Sequence, residues 1–239
     1  MIEIENVSKS YKGGNKVIDK LNLKINDGEI FGFIGLNGAG KTTTIKMITG
    51  ILEIDEGNIL VDGIDISREP VKAKKNLGYV PDSPDMFLKL KGIEYLNFIA
   101  DVYEISKEER IIKIKEYAEK FGMIGELENK IENYSHGMRQ KIVIIGALLH
   151  KPKNLILDEP ITGLDPKSSY DLKEILKQYA NHGNTVFFST HILEIAEKLC
   201  DRIGIIHQGK LIYVGTLEEL RNKFDGQKTL EEIFIDIIN

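Results

Sequence analysis

The sequence contains Gly35-Leu36-Asn37-Gly38-Ala39-Gly40-Lys41-Thr42-Thr43 directly after the apolar run Ile30–Ile34 and at the start of a helix-compatible segment, residues 43–48. This is the P-loop pattern G-x-x-x-x-G-K-[ST] in the strand–loop–helix context that the motif requires. Glycines let the backbone curl so that its N–H groups face inward, and the helix directs its positive end to the same point. The stretch therefore predicts a cradle for nucleotide phosphates.

The polar residues of this loop have separate predicted roles. The Lys41 ammonium is expected to reach the β- and γ-phosphates, and the Thr42 hydroxyl is placed for Mg²⁺. Thr43 offers its hydroxyl and N–H to the α-phosphate. A chance glycine-rich turn is the alternative, and the strand before the loop and the helix after it argue against that alternative. The predicted nucleotide contacts in the loop are Asn37, Gly38, Ala39, Gly40, Lys41, Thr42 and Thr43.

Length and composition narrow the class of protein. The 239 residues exceed the usual length of one domain, which predicts one domain with an insertion. The net charge of -5 argues against a nucleic-acid binder, which is normally basic. The single cysteine, Cys200, excludes an internal disulfide, so a reducing cytosol is the expected setting. Residues 1–5 lack signal-peptide features, and no apolar run approaches a membrane span, so we expect a soluble chain.

The beginning of the chain is predicted to be rich in β-structure. Residues 2–7 and 17–25 alternate apolar and polar side chains, and Gly13-Gly14-Asn15 between them predicts a turn. Tyr11 precedes this turn, and its ring either stacks on an adenine or is an ordinary hairpin tyrosine.

The later chain predicts an α/β fold with an inserted group of helices. Between Pro84 and His150 apolar residues recur at helical spacing, and beyond it strand and helix signals alternate, as crossover units of a parallel sheet do. The expected fold class is a P-loop NTPase core with a mainly parallel sheet, an antiparallel β edge and a helical subdomain. The predicted divisions are a RecA-like core at 1–83 and 151–224, a helical signature subdomain at 84–150 and a tail at 225–239.

Two acids end one of these strands. Residues 155–160 read Leu-Ile-Leu-Asp-Glu-Pro, so the carboxylates of Asp158 and Glu159 emerge at the carboxyl end of a buried strand, where open α/β sheets bind ligands. Asp158 suits Mg²⁺, directly or through water, and Glu159 suits the general base for an attacking water. An acidic turn that merely ends the strand is the alternative. The upstream P-loop favours the catalytic interpretation.

The remaining motifs resemble those of ATP-binding cassette (ABC) proteins. Residues 162–165 read Thr-Gly-Leu-Asp, residues 189–191 read Ser-Thr-His, and residues 134–140 read Tyr-Ser-His-Gly-Met-Arg-Gln, which is similar to the family's signature sequence. The resemblance extends from Tyr11 to His191. The segment 230–234, Leu-Glu-Glu-Ile-Phe, resembles the ABC-2-like group often associated with export.

The resemblance implies an ATPase that works as a head-to-tail dimer, formed with an identical or a related cassette. Ser135 and Gly137 of one copy would then meet the γ-phosphate held by the P-loop of the other copy, where a hydroxyl, an N–H and a helix start attract an anion. His191 would contact the γ-phosphate beside Glu159. The partner would be a separate integral membrane subunit, which places the chain peripherally at the cytoplasmic face of the membrane.

Two positions depart from the family pattern. Asp82 follows Tyr-Val-Pro where the family commonly has glutamine, and it can still hold Mg²⁺-bound water. His136 replaces a glycine of the commoner signature, which reduces backbone freedom there. Neither change removes a catalytic group.

Two other functions compete with a transporter ATPase. The first is a single-cassette ABC ATPase that serves as an assembly or regulatory factor, and the second is an ATP-sensing dimer without useful turnover. The presence of Lys41, Asp158, Glu159 and His191 argues against the second. Met86, Phe87 and Leu88 follow Asp82 in a turn-rich stretch, where they either anchor the helices as core or, by family resemblance, form a groove for a helix of the membrane subunit.

Overall fold

The computed structural model describes residues 1–11, 14–224 and 228–238, so Gly13 of the predicted turn and residues 225–227 and 239 of the predicted tail lie outside the described residues. The strands are β1 (Ile2–Ser10), β2 (Lys16–Ile25), β3 (Ile30–Ile34), β4 (Glu56–Val61), β5 (Ile64–Asp65), β6 (Leu77–Val80), β7 (Asn154–Asp158), β8 (Thr185–Thr190), β9 (Arg202–His207) and β10 (Lys210–Gly215). The helices are α1 (Lys41–Ile48), α2 (Pro70–Lys75), α3 (Gly92–Val102), α4 (Lys107–Lys120), α5 (His136–Leu148), α6 (Pro166–Asn181), α7 (Leu193–Leu199), α8 (Leu217–Lys223) and α9 (Leu230–Ile238).

The strands form two sheets. One sheet has the order β10-β9-β3-β8-β7-β6, in which all neighbours are parallel except the β9–β10 pair. The other sheet is antiparallel with the order β2-β1-β4-β5. The expected fold class is confirmed, and the antiparallel part is a sheet of its own. Because β3 lies between β8 and β9, the loops after β3 and β8 are neighbours at the carboxyl edge of the parallel sheet.

Aromatic and aliphatic side chains fill the space between the two sheets. The Phe187 ring packs against those of Phe31 and Phe33, with centroid distances of 6.0 and 5.4 Å, and the side chains of Ile2 and Ile25 belong to the same buried cluster. Full burial of side chains of this size contributes roughly 1.5 to 3 kcal/mol each. This core fixes β3 and α1, and it therefore holds the P-loop between them.

The helices of residues 84–150 pack around α5, which is buried along most of its length, as the apolar segment 138–149 predicted. Ile142 and Leu148 of α5 share one buried cluster with Leu96 of α3 and Ile114 of α4. The same cluster includes Phe188 of β8, so the helical insertion is joined to the parallel sheet by a continuous apolar core.

Two elements had no counterpart in the sequence-based expectations. The helix α2 begins at Pro70, a residue suited to the first turn of a helix, and has only one buried residue, Ala73. The strand β5 has two residues, 64 and 65. Both are too short to produce a periodic pattern. Within the described ranges, no helix is long and apolar enough to cross a bilayer.

Candidate nucleotide site

The glycines of the P-loop are required by its packing and its backbone angles. Gly38 and Gly40 have φ values of 81° and 113°, in the left-handed region that residues with a Cβ rarely adopt. A Cβ at Gly40 would also lie 2.6 Å from Ile18 Cδ1, and one at Gly35 would lie 2.6 Å from the Ile206 carbonyl oxygen. The loop is thus pressed against β2 and β9.

Helix α1 begins without a capping side chain. Its N-cap is Gly40, and its first turn carries no acidic residue. The N–H groups at the start of a helix have no partner within the helix, and together with the helix dipole they attract an anion. The loop therefore leaves these donors for a ligand such as a phosphate group.

Lys41 is a buried cation that lies between the P-loop and the strand end of β7. Its side chain is 6% exposed, and Nζ donates a hydrogen bond to the Gly35 carbonyl oxygen at 2.8 Å. Nζ also lies 3.4 Å from Oε1 of Glu159. A buried ammonium ion needs anionic or carbonyl partners, and here it has both kinds.

Asp158 is the last residue of β7 and is fully buried. Its Oδ1 accepts a hydrogen bond from the Ser189 hydroxyl of β8, whereas its Oδ2 has no hydrogen-bond partner. Burial raises the pKa of Asp158, the Ser189 and Thr42 hydroxyls act in the opposite direction, and the carboxylates of Asp82 and Glu159 raise it further. A buried carboxylate oxygen without a partner marks a place for a cation.

The residues here fit Mg²⁺ as part of a nucleotide complex. Within the described part of the chain, no group of three or more His, Cys, Asp or Glu side chains is arranged to hold a metal ion. Mg²⁺ is commonly held by one or two protein oxygens together with substrate phosphates and waters, so it needs no all-protein cage. The unpaired Oδ2 of Asp158 and the nearby Thr42 hydroxyl match that need.

Glu159 faces Lys41 and His191. Its Oε1 lies 3.0 Å from Nδ1 of His191, and its side chain is 11% exposed, whereas that of His191 is 45% exposed. The backbone of Glu159 has a φ of 49°, and its N–H donates to the Ser189 hydroxyl oxygen at 3.0 Å. Strained backbone of this kind is common at functional sites. The carboxylate is thereby turned toward the P-loop.

These side chains surround one cavity of about 430 Å³. Asp82 and Thr162 reach its lining from outside the P-loop, and Val17 and Leu36 add apolar surface, so Val17, Leu36 and Thr162 extend the set predicted from the sequence. The lining residues are Val17, Leu36, Asn37, Gly38, Gly40, Lys41, Thr42, Thr43, Asp82, Glu159, Thr162 and His191. The alternation of residues 17–25 is the signal that could have marked Val17.

Two residues that were predicted to contact the nucleotide, Ala39 and Tyr11, are not among the residues that line the cavity. Ala39 is buried and packs in the cluster between the sheets, and its N–H donates to the Leu36 carbonyl oxygen at 3.1 Å, so it does not line the cavity. Tyr11 is 49% exposed, and its hydroxyl lies 3.5 Å from Oγ1 of Thr43. Tyr11 therefore lies beside the P-loop, and its side chain is about half exposed.

Ser135 and Gly137 do not line this cavity. Ser135 is the N-cap of α5, and its Oγ accepts a hydrogen bond from the Met138 N–H at 3.2 Å. Its hydroxyl hydrogen is still available to a ligand. In one copy of the chain, Ser135 and Gly137 therefore lie outside the lining of the P-loop cavity.

Comparison with known proteins identifies the family of this arrangement. Residues 18–162 match the family model described as "ABC transporter". The chain is 39% identical over 239 residues to the linearmycin resistance ATP-binding protein LnrL of Bacillus subtilis, covering 100% of this chain and 76% of that protein. It is 35% identical to the ABC transporter ATP-binding protein NatA of the same organism, covering 92% of this chain and 91% of NatA.

Solved structures show the same fold. An ATP-binding subunit of an ABC transporter superposes with a TM-score of 0.94 at 32% identity, covering 99% of each chain. A dimeric ATP-binding cassette in a post-hydrolysis state, bound to ADP and Pi, superposes with a TM-score of 0.83 at 26% identity, covering 91% of this chain and 99% of that chain.

Proposed function

This chain belongs to the ABC transporter family as an ATP-binding subunit with ATPase activity, and we propose that it hydrolyses ATP at the cavity lined by the P-loop, Asp82, Glu159 and His191. The observation that carries this proposal is the meeting of Lys41, Glu159 and His191. The buried ammonium and the carboxylate come from sequence-distant elements and lie 3.4 Å apart in a cavity that opens to solvent. Lys41 thus supplies a cation for the phosphates, and Glu159 supplies a base for the attacking water in the same cavity.

Each residue has a role in this reaction. The first turn of α1 and Lys41 hold the phosphates, and the ring of Tyr11 stacks on the adenine. Glu159 orients the attacking water and takes its proton, while His191, 3.0 Å from Oε1, holds the carboxylate and contacts the γ-phosphate. Thr42 and Asp158 would hold Mg²⁺, and Asp82 its bound water. When bound, that ion neutralises charge that develops on the phosphates.

A second copy completes the site. Ser135 is the N-cap of α5 and Gly137 lies in its first turn, so a head-to-tail dimer would bring the Ser135 hydroxyl and the Gly137 N–H to the γ-phosphate held by the partner's P-loop. In this proposal, residues 1–83 and 151–224 would bind ATP, residues 84–150 would present Ser135 and Gly137, and residues 225–239 would be a short C-terminal tail.

Glu159→Gln tests the mechanism directly. The amide keeps the shape of the side chain and removes the base, so hydrolysis falls by about 10²- to 10⁴-fold while ATP still closes the dimer. Light scattering with Mg-ATP should show a stable dimer, which Ser135→Arg disrupts by placing bulk and charge at the trans contact. Glu174→Gln, at a side chain that is 40% exposed and pairs with Lys177, is the matched control and should behave as wild type. A Glu159→Gln protein that remains monomeric at high concentration would refute the ATP-closed dimer.

The partner would be a separate integral membrane subunit, with this chain bound at the cytoplasmic face. Met86 and Phe87 are 37% and 44% exposed, and the Phe87 ring packs 5.4 Å from the buried ring of Tyr95 and 5.5 Å from the exposed ring of Phe98. The exposed parts of Met86, Phe87 and Phe98 form an apolar surface on the helical subdomain that is suited to receive an apolar helix.

Affinity isolation from detergent-solubilised membranes tests this contact. The double variant Met86→Ser/Phe87→Ser should bind ATP as wild type does and lose the co-purifying membrane protein. Ile111→Ser/Ile112→Ser, at two exposed apolar residues of α4, is the control and should retain it. If only soluble proteins co-purify with the wild type, the chain acts as a non-transport cassette ATPase.

A further inference from the structure

The start of α5 rests on the segment that follows Glu159 in the same chain. A Cβ added to Gly163 would lie 2.4 Å from Cδ2 of His136, so the imidazole is directly against the Gly163 backbone. A Cβ added to Gly137 would lie 2.7 Å from the Gly163 carbonyl oxygen. The two segments therefore meet at two glycines, and neither leaves space for a methyl group.

One turn further along α5, two polar side chains contact the same segment. Nε2 of Gln140 donates to the Pro160 carbonyl oxygen at 3.5 Å, and Nζ of Lys141 lies 2.8 Å from Oδ2 of Asp165. Positions 136, 137, 140 and 141 share one face of a helix with 3.6 residues per turn. We call the contact between this face and residues 160–165 the α5 seam.

We propose that His136 is a positioning residue, whose ring, seated on Gly163, orients Ser135 and Gly137 toward the ATP of the other subunit. This inference rests on the proposed function, in which those two residues act across the dimer. A glycine at position 136 would leave the space over Gly163 empty and the backbone free. The imidazole fills that space, so the signature residues are held by packing against the chain's own loop.

The seam also joins two sites. Residues 160–165 begin directly after Glu159, which faces the ATP held by its own chain, whereas Ser135 and Gly137 face the ATP held by the partner. A displacement of Glu159 would therefore be transmitted to Ser135 and Gly137 through the α5 seam, which includes the buried side-chain amide of Gln140. Such contiguous packing is a physical route for coupling two sites.

A double-mutant cycle in the Glu159→Gln background tests the seating of His136. The readout is the Mg-ATP concentration for half-maximal dimer formation by light scattering, with affinity of the monomer for a fluorescent ATP analogue as a second measurement. Gly163→Ala places a methyl group where the ring lies. Gly183→Ala is the matched control, because Gly183 has nearly the same φ, 84° against 81°, but nothing within 4 Å of its added Cβ.

Gly163→Ala should raise the half-maximal Mg-ATP concentration by about tenfold relative to Gly183→Ala, because the added methyl group crowds the imidazole of His136. His136→Ala alone should also raise the half-maximal Mg-ATP concentration, because the contact between the imidazole and Gly163 is lost. In the His136→Ala background, Gly163→Ala and Gly183→Ala should have equal effects. The affinity of the monomer for nucleotide should stay constant, because the P-loop is untouched.

Additive effects would overturn the proposal, because they would show that Gly163 acts without the imidazole. A normal dimer from His136→Ala would overturn it as well. Both results leave the dimer of the Glu159→Gln protein intact and therefore spare the proposed function. If that reference protein itself forms no dimer with Mg-ATP, the proposed function fails, and the seating of His136 fails with it.

Discussion

Acidification should destabilise the protein through His150, which lies where the helical insertion meets the sheet. Nε2 of His150 lies 3.0 Å from the Leu77 carbonyl oxygen of β6, and the ring stacks on Tyr103, with 3.5 Å between the centroids. Nδ1 is buried without a partner. The site therefore suits a neutral imidazole that donates from Nε2, and a second proton at Nδ1 would have no acceptor.

The size of the effect follows from the pKa. Burial lowers the pKa of His150 from 6.5 to about 4; the bond to Leu77 opposes this shift, and the Lys113 charge adds to it. The unfolded chain thus binds the proton more tightly than the folded protein. The stability contributed by neutral His150 is present above the unfolded pKa and is lost as the pH falls toward the folded pKa. The linkage relation gives a loss of about 2 kcal/mol between about pH 7.5 and about pH 5.

Urea denaturation of wild type and His150→Gln at these two pH values measures this loss. Glutamine keeps a donor for the Leu77 carbonyl oxygen and does not titrate, so the free energy of unfolding of the variant should fall less on acidification, by about 2 kcal/mol. His182→Gln, at an exposed histidine, controls for the loss of a histidine as such. Parallel pH dependences of wild type and His150→Gln would refute the assignment.

Three further outcomes are expected. Lys41→Ala should abolish ATP turnover, because it removes the cation at the phosphates, and unchanged ATPase activity would disprove the site. Tyr11→Ala should raise the KM for ATP with little change in kcat, since stacking supplies affinity alone; identical kinetics would exclude Tyr11 from the site. Gly78→Ala should cost about 1 to 3 kcal/mol of stability in urea denaturation, because its Cβ would lie 2.8 Å from the Ala147 carbonyl oxygen, whereas Gly125→Ala, in open space, should cost little.

The motifs of the nucleotide site could be predicted from the sequence because each one lies within a short segment of the chain. The P-loop combines glycines at fixed offsets with a strand before and a helix after, and Asp158 and Glu159 stand where an apolar run stops. The period of apolar residues likewise identified α5 as a buried helix. Local conformational limits and burial patterns are properties of short segments, so a sequence displays them directly.

The order of the strands in the sheet could not be predicted from those patterns. Alternating strands and helices predicted a parallel sheet, but not that β3 lies between β8 and β9. That order brings His191, which follows β8, toward the cavity beside the P-loop. The separate antiparallel sheet was also undetermined, because residues 2–7 show the same alternation whether they join a larger sheet or form another.

The sequence thus determined which residue types are present and where they stand in the chain, whereas the fold determined which of their side chains lie close together. Residues 41, 159 and 191 each carried a predicted role, yet the 3.4 Å and 3.0 Å separations of their side chains depend on how strands far apart in sequence pack together. The same holds for His136, which the sequence marked as a departure from a glycine and the fold places against Gly163. Close contacts between distant segments arise from the packing of the whole core, and no local pattern encodes them.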